Sequence, residues 1–281
     1  MIIDGRALAR EVLARTKMRA GKLARRPLIV ALTGSDTPAT RSYLAIKTKK
    51  AEEAGCVLEI KRFDLSKGIN NFTLSRQVVD SAEDAHAIIV QLPLPAGVDV
   101  KKVCDAIPLS KDADVLSVTA RAKFERSDTD ALLPPVVGAV REIFVHSGID
   151  VKGKKAVVIG DGWLVGNPCA KWLKQQGTEV SVLTSKSENL AVALRAADII
   201  VSGAGSPHLI KPEMLKEDVV LIDAGTSESN GAISGDADPA CADKCSIFTP
   251  VPGGVGPLAV VCLFANVVTL AEQKNSSILS S

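Results

Sequence analysis

In the stretch TRSYLAIKTKKAEEAG, Tyr43 is the single tyrosine of the chain and Lys47 stands four residues after it. On a helix, residues i and i+4 lie one above the other on one face. A phenol over a lysine can handle protons if a substrate lies against it; a ring packed on a lysine stem is the structural alternative. A second stretch, AVVIGDGWLVGNP, carries glycines at 160, 162 and 166 between a strand-like run and a helical pattern. Such a turn lets backbone N–H groups and a helix N-terminus, here near Val165 and Gly166, face a pyrophosphate. Its spacing, G-x-G-x-x-x-G, is one residue longer than the standard fingerprint. The strand after it, EVSVLTSKSEN, ends in Thr184, Ser185 and Lys186, where an NAD site would carry an acid. Hydroxyls and an ammonium suit a 2′-phosphate, whereas Asp161 in the glycine turn would repel one if it pointed the same way. The residues favour NADP, with NAD as the alternative.

Groups so placed need rigid elements behind them, and the chain has the material for them. Its 281 residues, 46% apolar, suffice for one large domain or two ordinary ones. A formal net charge of +2 gives no electrostatic case for nucleic acid or a membrane surface. The first residues show no secretory pattern, and the most apolar stretch, PLAVVCLFANVVTLAEQ, reads as too short to cross a bilayer and contains Asn266. The six cysteines read as buried reduced thiols of a cytoplasmic protein. No Cys or His spacing completes a metal site, and His86, His146 and His208 read as structural or surface residues.

Apolar runs alternate with helical patterns. PLIVALTG, CVLEIKRFD and HAIIVQLPLP are strand candidates; DTPATRSYLAIKTKKAEEAG, with Pro38 near its start and Gly55 at its end, is a helix, and another begins around NFTLSRQVVDSAED. The rhythm predicts a mainly parallel sheet covered by helices. Between Leu109 and Val137 the chain turns polar and weakly periodic, which reads as an inter-domain crossing. A second series follows: KKAVVIG, EVSVLT, DIIVSGAG, VVLIDAGTS and SIFTPV as strands, VGNPCAKWLKQQG and NLAVALRAA as helices. PLAVVCLFANVVTLAEQK closes the chain as a long helix, with NSSILSS expected to fray.

Five elements stand in register: Tyr43-x-x-x-Lys47, VQLPLP at 90–95, KDAD at 111–114, GDGWLVGNP, and TPVPGGVGPLAV at 249–260. With them, nearly the whole chain resembles the bifunctional methylenetetrahydrofolate dehydrogenase/methenyltetrahydrofolate cyclohydrolase family. The resemblance implies two α/β domains with a cleft between them, the second a Rossmann-type dinucleotide-binding domain. Residues 1–132 plus 258–281 would form the folate-binding catalytic domain and 133–257 the NAD(P)-binding domain. It implies oxidation of 5,10-methylenetetrahydrofolate with NADP, or with NAD, and hydrolysis of the methenyl product to 10-formyltetrahydrofolate. It also implies a cytoplasmic homodimer in one-carbon metabolism and purine biosynthesis, with a small-molecule folate as its partner.

Residue by residue, Lys47 matches the family's catalytic lysine, Tyr43 the tyrosine of the same pocket, and Gln91 the glutamine that works with the lysine. Asp114 matches the aspartate that binds the pterin-like ring. Val90 and Leu92 flank Gln91 at the substrate, and Pro252, Gly253, Gly254, Val255, Gly256 and Pro257 match the loop over the folate. Gly160, Asp161, Gly162, Val165, Gly166, Thr184, Ser185, Lys186 and Thr226 would meet the dinucleotide. Positive charge grows on the N5–C–N10 bridge as hydride leaves, so a neutral lysine suits that step better than an ammonium.

Several residues depart from the family pattern. Val115 stands where a glycine follows the second acid, and would force a different loop if that glycine were left-handed. Val136 lacks a hydroxyl expected near the nicotinamide, Asp161 and Gly162 alter the turn, and DAGTS puts Thr226 at the cofactor. Two other readings therefore stand beside the bifunctional one: a cyclohydrolase with a weakened or altered dehydrogenase step, and a non-catalytic folate- or nucleotide-binding protein.

Overall fold

The computed structural model describes residues 1–229 and 232–279. The chain divides into two compact units, Met1–Arg10 with Val136–Ala259 and Glu11–Pro135 with Val260–Ser281. Helix α1 (Gly5–Ala20) begins in one and continues in the other.

The unit from Glu11 holds β1 (Leu28–Thr33), α2 (Pro38–Glu53), β2 (Val57–Arg62), α3 (Asn71–Ser81), β3 (Ala87–Gln91), α4 (Val100–Cys104) and α5 (Val118–Glu125). Its sheet runs β2-β1-β3, all parallel, with β1 in the middle. Ile29, Val30, Ala31 and Leu32 of β1 and Ala87 to Val90 of β3 are buried. Each large aliphatic side chain so buried contributes about 1.5–3 kcal/mol. Helix α2 starts where the sequence places it: the Thr37 hydroxyl accepts the Thr40 N–H at 3.1 Å, Pro38 follows, and Gly55 stands beyond the end at φ +81°.

The 109–137 stretch is not only a crossing. Ser117 Oγ accepts the Ala120 N–H at 3.3 Å and starts α5, which buries Ala120 and Phe124. The cap carries this helix, and only those two of its eight residues are buried, so periodicity gives a weak signal.

The other unit contains α6 (Pro135–His146), β4 (Lys155–Ile159), α7 (Gly166–Gln175), β5 (Glu179–Leu183), α8 (Leu190–Ala196), β6 (Ile199–Ser202), β7 (Val219–Asp223), β8 (Ser227–Ser229), β9 (Ala232–Ser234) and β10 (Cys245–Phe248). Five strands form a parallel sheet in the order β10-β7-β6-β4-β5, while β8 and β9 pair antiparallel. This is the doubly wound order in which the first strand lies between the second and third, and the chain reverses direction at β4. Phe144 of α6 and Trp172 of α7 stack with centroids 6.0 Å apart, which fixes the helix that opens at the glycine turn. The first ten residues, expected in the catalytic domain, cluster here: Ile2 bridges Phe248, and the Ile3 N–H donates to the Phe248 carbonyl at 2.9 Å.

The last helix, α9, spans Val255–Leu279. Its segment Val255–Asn275 is long and apolar enough to cross a membrane, with mean hydropathy 1.9, contrary to the sequence reading. Its apolar residues Leu258, Val261, Phe264, Val267 and Val268 are nonetheless buried, and Asn266 Nδ2 donates to the carbonyls of Ala113 and Leu133 at 2.8 and 2.9 Å. It is a core helix. The part of NSSILSS expected to fray is helical through Leu279; Ser280 and Ser281 lie outside the described residues. The six cysteines are all buried and none is in a disulfide among the described residues, and burial pushes the Cys56, Cys104, Cys169 and Cys245 thiols up to about 12.

His86 ties β1 to the turn before β3. Its Nδ1 accepts the Leu28 N–H at 3.0 Å, which requires an unprotonated nitrogen. Burial, then Lys274, Arg25 and Lys111, lower its pKa below the ordinary value. A histidine lowered on folding adds stability above its unfolded pKa of about 6.5, and that stability is lost as pH falls through the folded value. Urea unfolding at pH 7.5 and 5.5 should show a larger loss for the native chain than for His86→Asn, whose Oδ1 keeps the acceptor without titrating. Equal losses would remove His86 from the pH response.

Candidate active site

The core-facing stripe of α2 is Thr40, Leu44, Lys47, Ala51 and Ala54 by helical spacing. Four of these are buried, and Lys47 is half-buried among them. A cation on an apolar stripe needs a partner, and Gln91 supplies it: Lys47 Nζ donates to Gln91 Oε1 at 3.0 Å. Gln91 is the last residue of β3 and is 8% exposed. Its Nε2 donates to the Leu92 carbonyl at 2.8 Å, so the amide can turn only its oxygen to the lysine. Val90 is buried, Leu92 half-buried, and Leu92–Pro93 is cis. Tyr43, one turn before Lys47, is 49% exposed.

The two acids of KDAD take different tasks. Asp112 is buried and accepts the backbone N–H groups of Leu116 (3.0 Å) and Ser117 (2.7 Å), shaping the loop. Asp114 has no hydrogen-bonding partner among the described residues. Burial pushes its carboxyl above the usual range, Lys47 opposes that shift, and Asp112 adds to it. A carboxyl desolvated beside a lysine and left without donors is equipped to take donors from a ligand. Val115 holds φ +57° with its side chain wholly buried. Val115 itself thus occupies the left-handed region.

In the Rossmann-type unit, the turn after β4 is built on backbone contact. Gly160 has φ +90°. A Cβ on Gly166 would stand 1.9 Å from the Gly160 carbonyl oxygen, and one on Gly203 would stand 2.4 Å from Val165 Cγ1. Glycine at 166 thus brings the start of α7 against the end of β4. A Cβ on Gly162 would meet nothing within 4 Å. A pocket of about 530 Å³ opens at the carboxyl ends of β4, β5 and β6, where the chain reverses. It brings together Gly160, Asp161, Gly162, Thr184 and Ser185. Lys186 and Thr226 are exposed and do not line it. The bare glycine turn, the helix start and the strand-end pocket fit a dinucleotide. Asp161 is exposed and accepts a 3.1 Å hydrogen bond from Asn167 Nδ2, which draws it toward the N-terminus of α7.

Sequence reasoning missed the floor of this pocket: Gly203, Ala204 and Ser206, beyond β6. It also missed two buried carboxylates behind that floor. Asp236 accepts Ser202 Oγ–H (2.6 Å) and the N–H groups of Ala204 (2.8 Å) and Ser206 (2.7 Å). Asp223 accepts the N–H groups of Gly225 (2.9 Å) and Ala237 (2.8 Å), and burial pushes its carboxyl up to about 6. An acid within two residues of a glycine, in DAG at 223–225 and GD at 235–236, was the available signal.

The loop 252–257 follows β10 in this same unit. Thr249 Oγ1 accepts the Asp223 N–H at 2.7 Å and anchors its start, and Val251–Pro252 is cis. Gly254 and Val255 are buried, Pro252 and Gly256 exposed, and Gly253 and Pro257 half-buried. Gly253 takes φ +115°. Among the described residues no group of acids, histidines or cysteines could hold a metal ion.

Fold and site together define a two-domain α/β protein whose second domain is a Rossmann-type dinucleotide binder. Residues 3–114 match the family tetrahydrofolate dehydrogenase/cyclohydrolase, catalytic domain, and residues 134–275 match its NAD(P)-binding domain. The chain belongs to the tetrahydrofolate dehydrogenase/cyclohydrolase family. It is 34% identical over 267 residues to the bifunctional protein FolD of Caldanaerobacter subterraneus subsp. tengcongensis, covering 95% of each chain. Its structure is similar to that of the bifunctional methylenetetrahydrofolate dehydrogenase/cyclohydrolase FolD from Campylobacter jejuni, with a TM-score of 0.92 and 30% identity over 98% of this chain and 99% of that one. It is also similar to the Trypanosoma brucei enzyme complexed with NADP cofactor and inhibitor, at a TM-score of 0.89 and 29% identity over 98% of both chains.

The glycine contacts separate folding from binding. Gly166→Ala should destabilise the protein by at least about 1–3 kcal/mol, because the new methyl meets backbone. Gly162→Ala should leave the urea midpoint unchanged within error yet weaken NADPH binding measured by fluorescence titration. Equal effects of both variants on stability would contradict this division.

Proposed function

We propose that this chain oxidises 5,10-methylenetetrahydrofolate to the methenyl form with NADP and hydrolyses that product to 10-formyltetrahydrofolate. The observation that carries the reading is the Lys47 Nζ–Gln91 Oε1 hydrogen bond on a buried helix stripe, with the Asp114 carboxyl, partnerless among the described residues, near enough to feel the lysine's charge. Gln91 fixes the lysine nitrogen, and Lys47 moves protons as water adds to the methenyl carbon and the ring opens. Asp114 accepts from the amino and N–H donors of the pterin-like ring and so orients it. Tyr43, one helical turn from Lys47, would wall the same pocket, with Val90 and Leu92 on either side of Gln91.

Gly160, Gly162 and the start of α7 would hold the pyrophosphate, with Thr184, Ser185 and Lys186 at the ribose. The bound nicotinamide supplies the hydride acceptor. Hydroxyls rather than an acid at the end of β5 support NADP over NAD. Asp161 lowers the local potential, and its pull toward α7 reduces that penalty without removing it. We further read the protein as a cytoplasmic homodimer whose product serves purine biosynthesis; the buried cysteines outside any disulfide support a reducing compartment.

Turnover of 5,10-methylenetetrahydrofolate should reduce NADP faster than NAD, and added methenyltetrahydrofolate should disappear faster than without protein. Lys47→Met should lower methenyl hydrolysis by about 100-fold or more with the fold unchanged. Hydrolysis without reduction of either cofactor would leave a cyclohydrolase alone; folded protein inactive in both assays would leave a binding protein. Asp161→Asn should tighten NADP binding several-fold at low salt, on the order of the unscreened effect of one surface charge, and by less at high salt. No salt-dependent change would place Asp161 outside the phosphate's field.

A further inference from the structure

We propose that Asp236 is a positioning residue for dinucleotide binding: its buried carboxylate holds the 203–206 loop in the shape that makes the pocket floor. This rests on the dinucleotide reading above. The loop has no regular structure, and Ala204, Gly205 and Ser206 are exposed. An exposed segment of that kind would sample many shapes. Here the N–H groups at 204 and 206 both end on Asp236, and Gly205 between them has φ +65°. Two alternate N–H groups thus wrap one internal anion, which leaves the outer face of the loop to the pocket.

The carboxylate is itself immobilised. It is 0% exposed and takes a third hydrogen bond from Ser202 at the end of β6. It lies against Gly225, where a Cβ would meet Asp236 Oδ2 at 2.1 Å. Asp223 lies in the same way against Gly235, where a Cβ would meet its Oδ2 at 2.2 Å. The two acids are reciprocally seated, each in the space left by a glycine of the other's loop. Asp236 does not line the pocket, so it acts through Gly203, Ala204 and Ser206.

Asp236→Asn keeps the volume and replaces one acceptor oxygen by NH2. Whichever way the amide turns, a donor then faces a donor, at Ser206 or at Ala204 and Ser202. The backbone ties beside it persist: His208 N–H to the Gly235 carbonyl at 3.2 Å and Ile210 N–H to the Asp236 carbonyl at 2.9 Å. The variant should therefore fold with a loosened floor.

The test titrates NADPH fluorescence against the native protein, Asp236→Asn and Ser202→Ala. It also measures methenyltetrahydrofolate hydrolysis without dinucleotide and the urea midpoint. Asp236→Asn should raise the NADPH Kd about tenfold, or about 1.4 kcal/mol, with hydrolysis within twofold of native. Ser202→Ala, which removes one donor, should shift the Kd the same way by less. An unchanged Kd in Asp236→Asn overturns the proposal, as does a fall in binding, hydrolysis and midpoint together, which marks a merely structural acid. If Asp236→Asn does not fold, an unchanged Kd in Ser202→Ala overturns it. Failure of the native protein to bind NADPH would instead reject the dinucleotide reading beneath it.

Discussion

Parallel pairing sends every strand of a sheet out at the same edge, and the groups fitted for chemistry lie at or just past such an edge. In the smaller sheet Gln91 ends β3 opposite Thr33 of β1. In the larger one, register places Ile159 beside Ser202 and Ser202 beside Asp223, so the loops that follow must share one side. Parallel strands also require crossovers, usually helical. That is why α2, rather than a hairpin turn, stands beside β1 and carries Lys47.

Carboxylates then divide by how their charge is satisfied. Asp112, Asp223 and Asp236 accept N–H groups from loops and hold those loops in place. Asp114 receives no such donors among the described residues. Folded proteins concentrate departures from local pairing rules at functional sites. The same side chain thus holds loops at three positions and is left without donors among the described residues at one. Only backbone geometry separates the two uses.

That separation limits what the sequence could disclose. Strands of Val and Ile, the Thr37–Pro38 start of α2 and the glycine turn were legible because each rests on local chemistry. Lys47 with Gln91 became legible through the family motifs, since residues 44 positions apart share no local pattern. The first ten residues join the later unit through a long-range bridge to Phe248, which no periodicity foretells. Asp236 was hidden for a related reason. Its donors lie about 30 residues away in the chain, and its seat depends on Gly225 having no side chain. The α9 helix shows the converse: its composition would suit a bilayer, and only burial and the Asn266 hydrogen bonds settle its role as core.

The departures from the family pattern differ in depth. Val115 is wholly buried in a left-handed seat, a conformation costing about 1–2 kcal/mol for a side chain with a Cβ. Burying a valine contributes a similar amount, about 1.5–3 kcal/mol, and the Asp112 carboxylate holds the chain on either side of it. The loop next to Asp114 thus holds a valine where the backbone favours glycine. Asp161 and Thr226 are exposed, so little packing responds to them. Asp161 lines the strand-end pocket and Thr226 does not. The departure at Val115 is therefore a matter of packing and backbone, and those at Asp161 and Thr226 are a matter of surface chemistry.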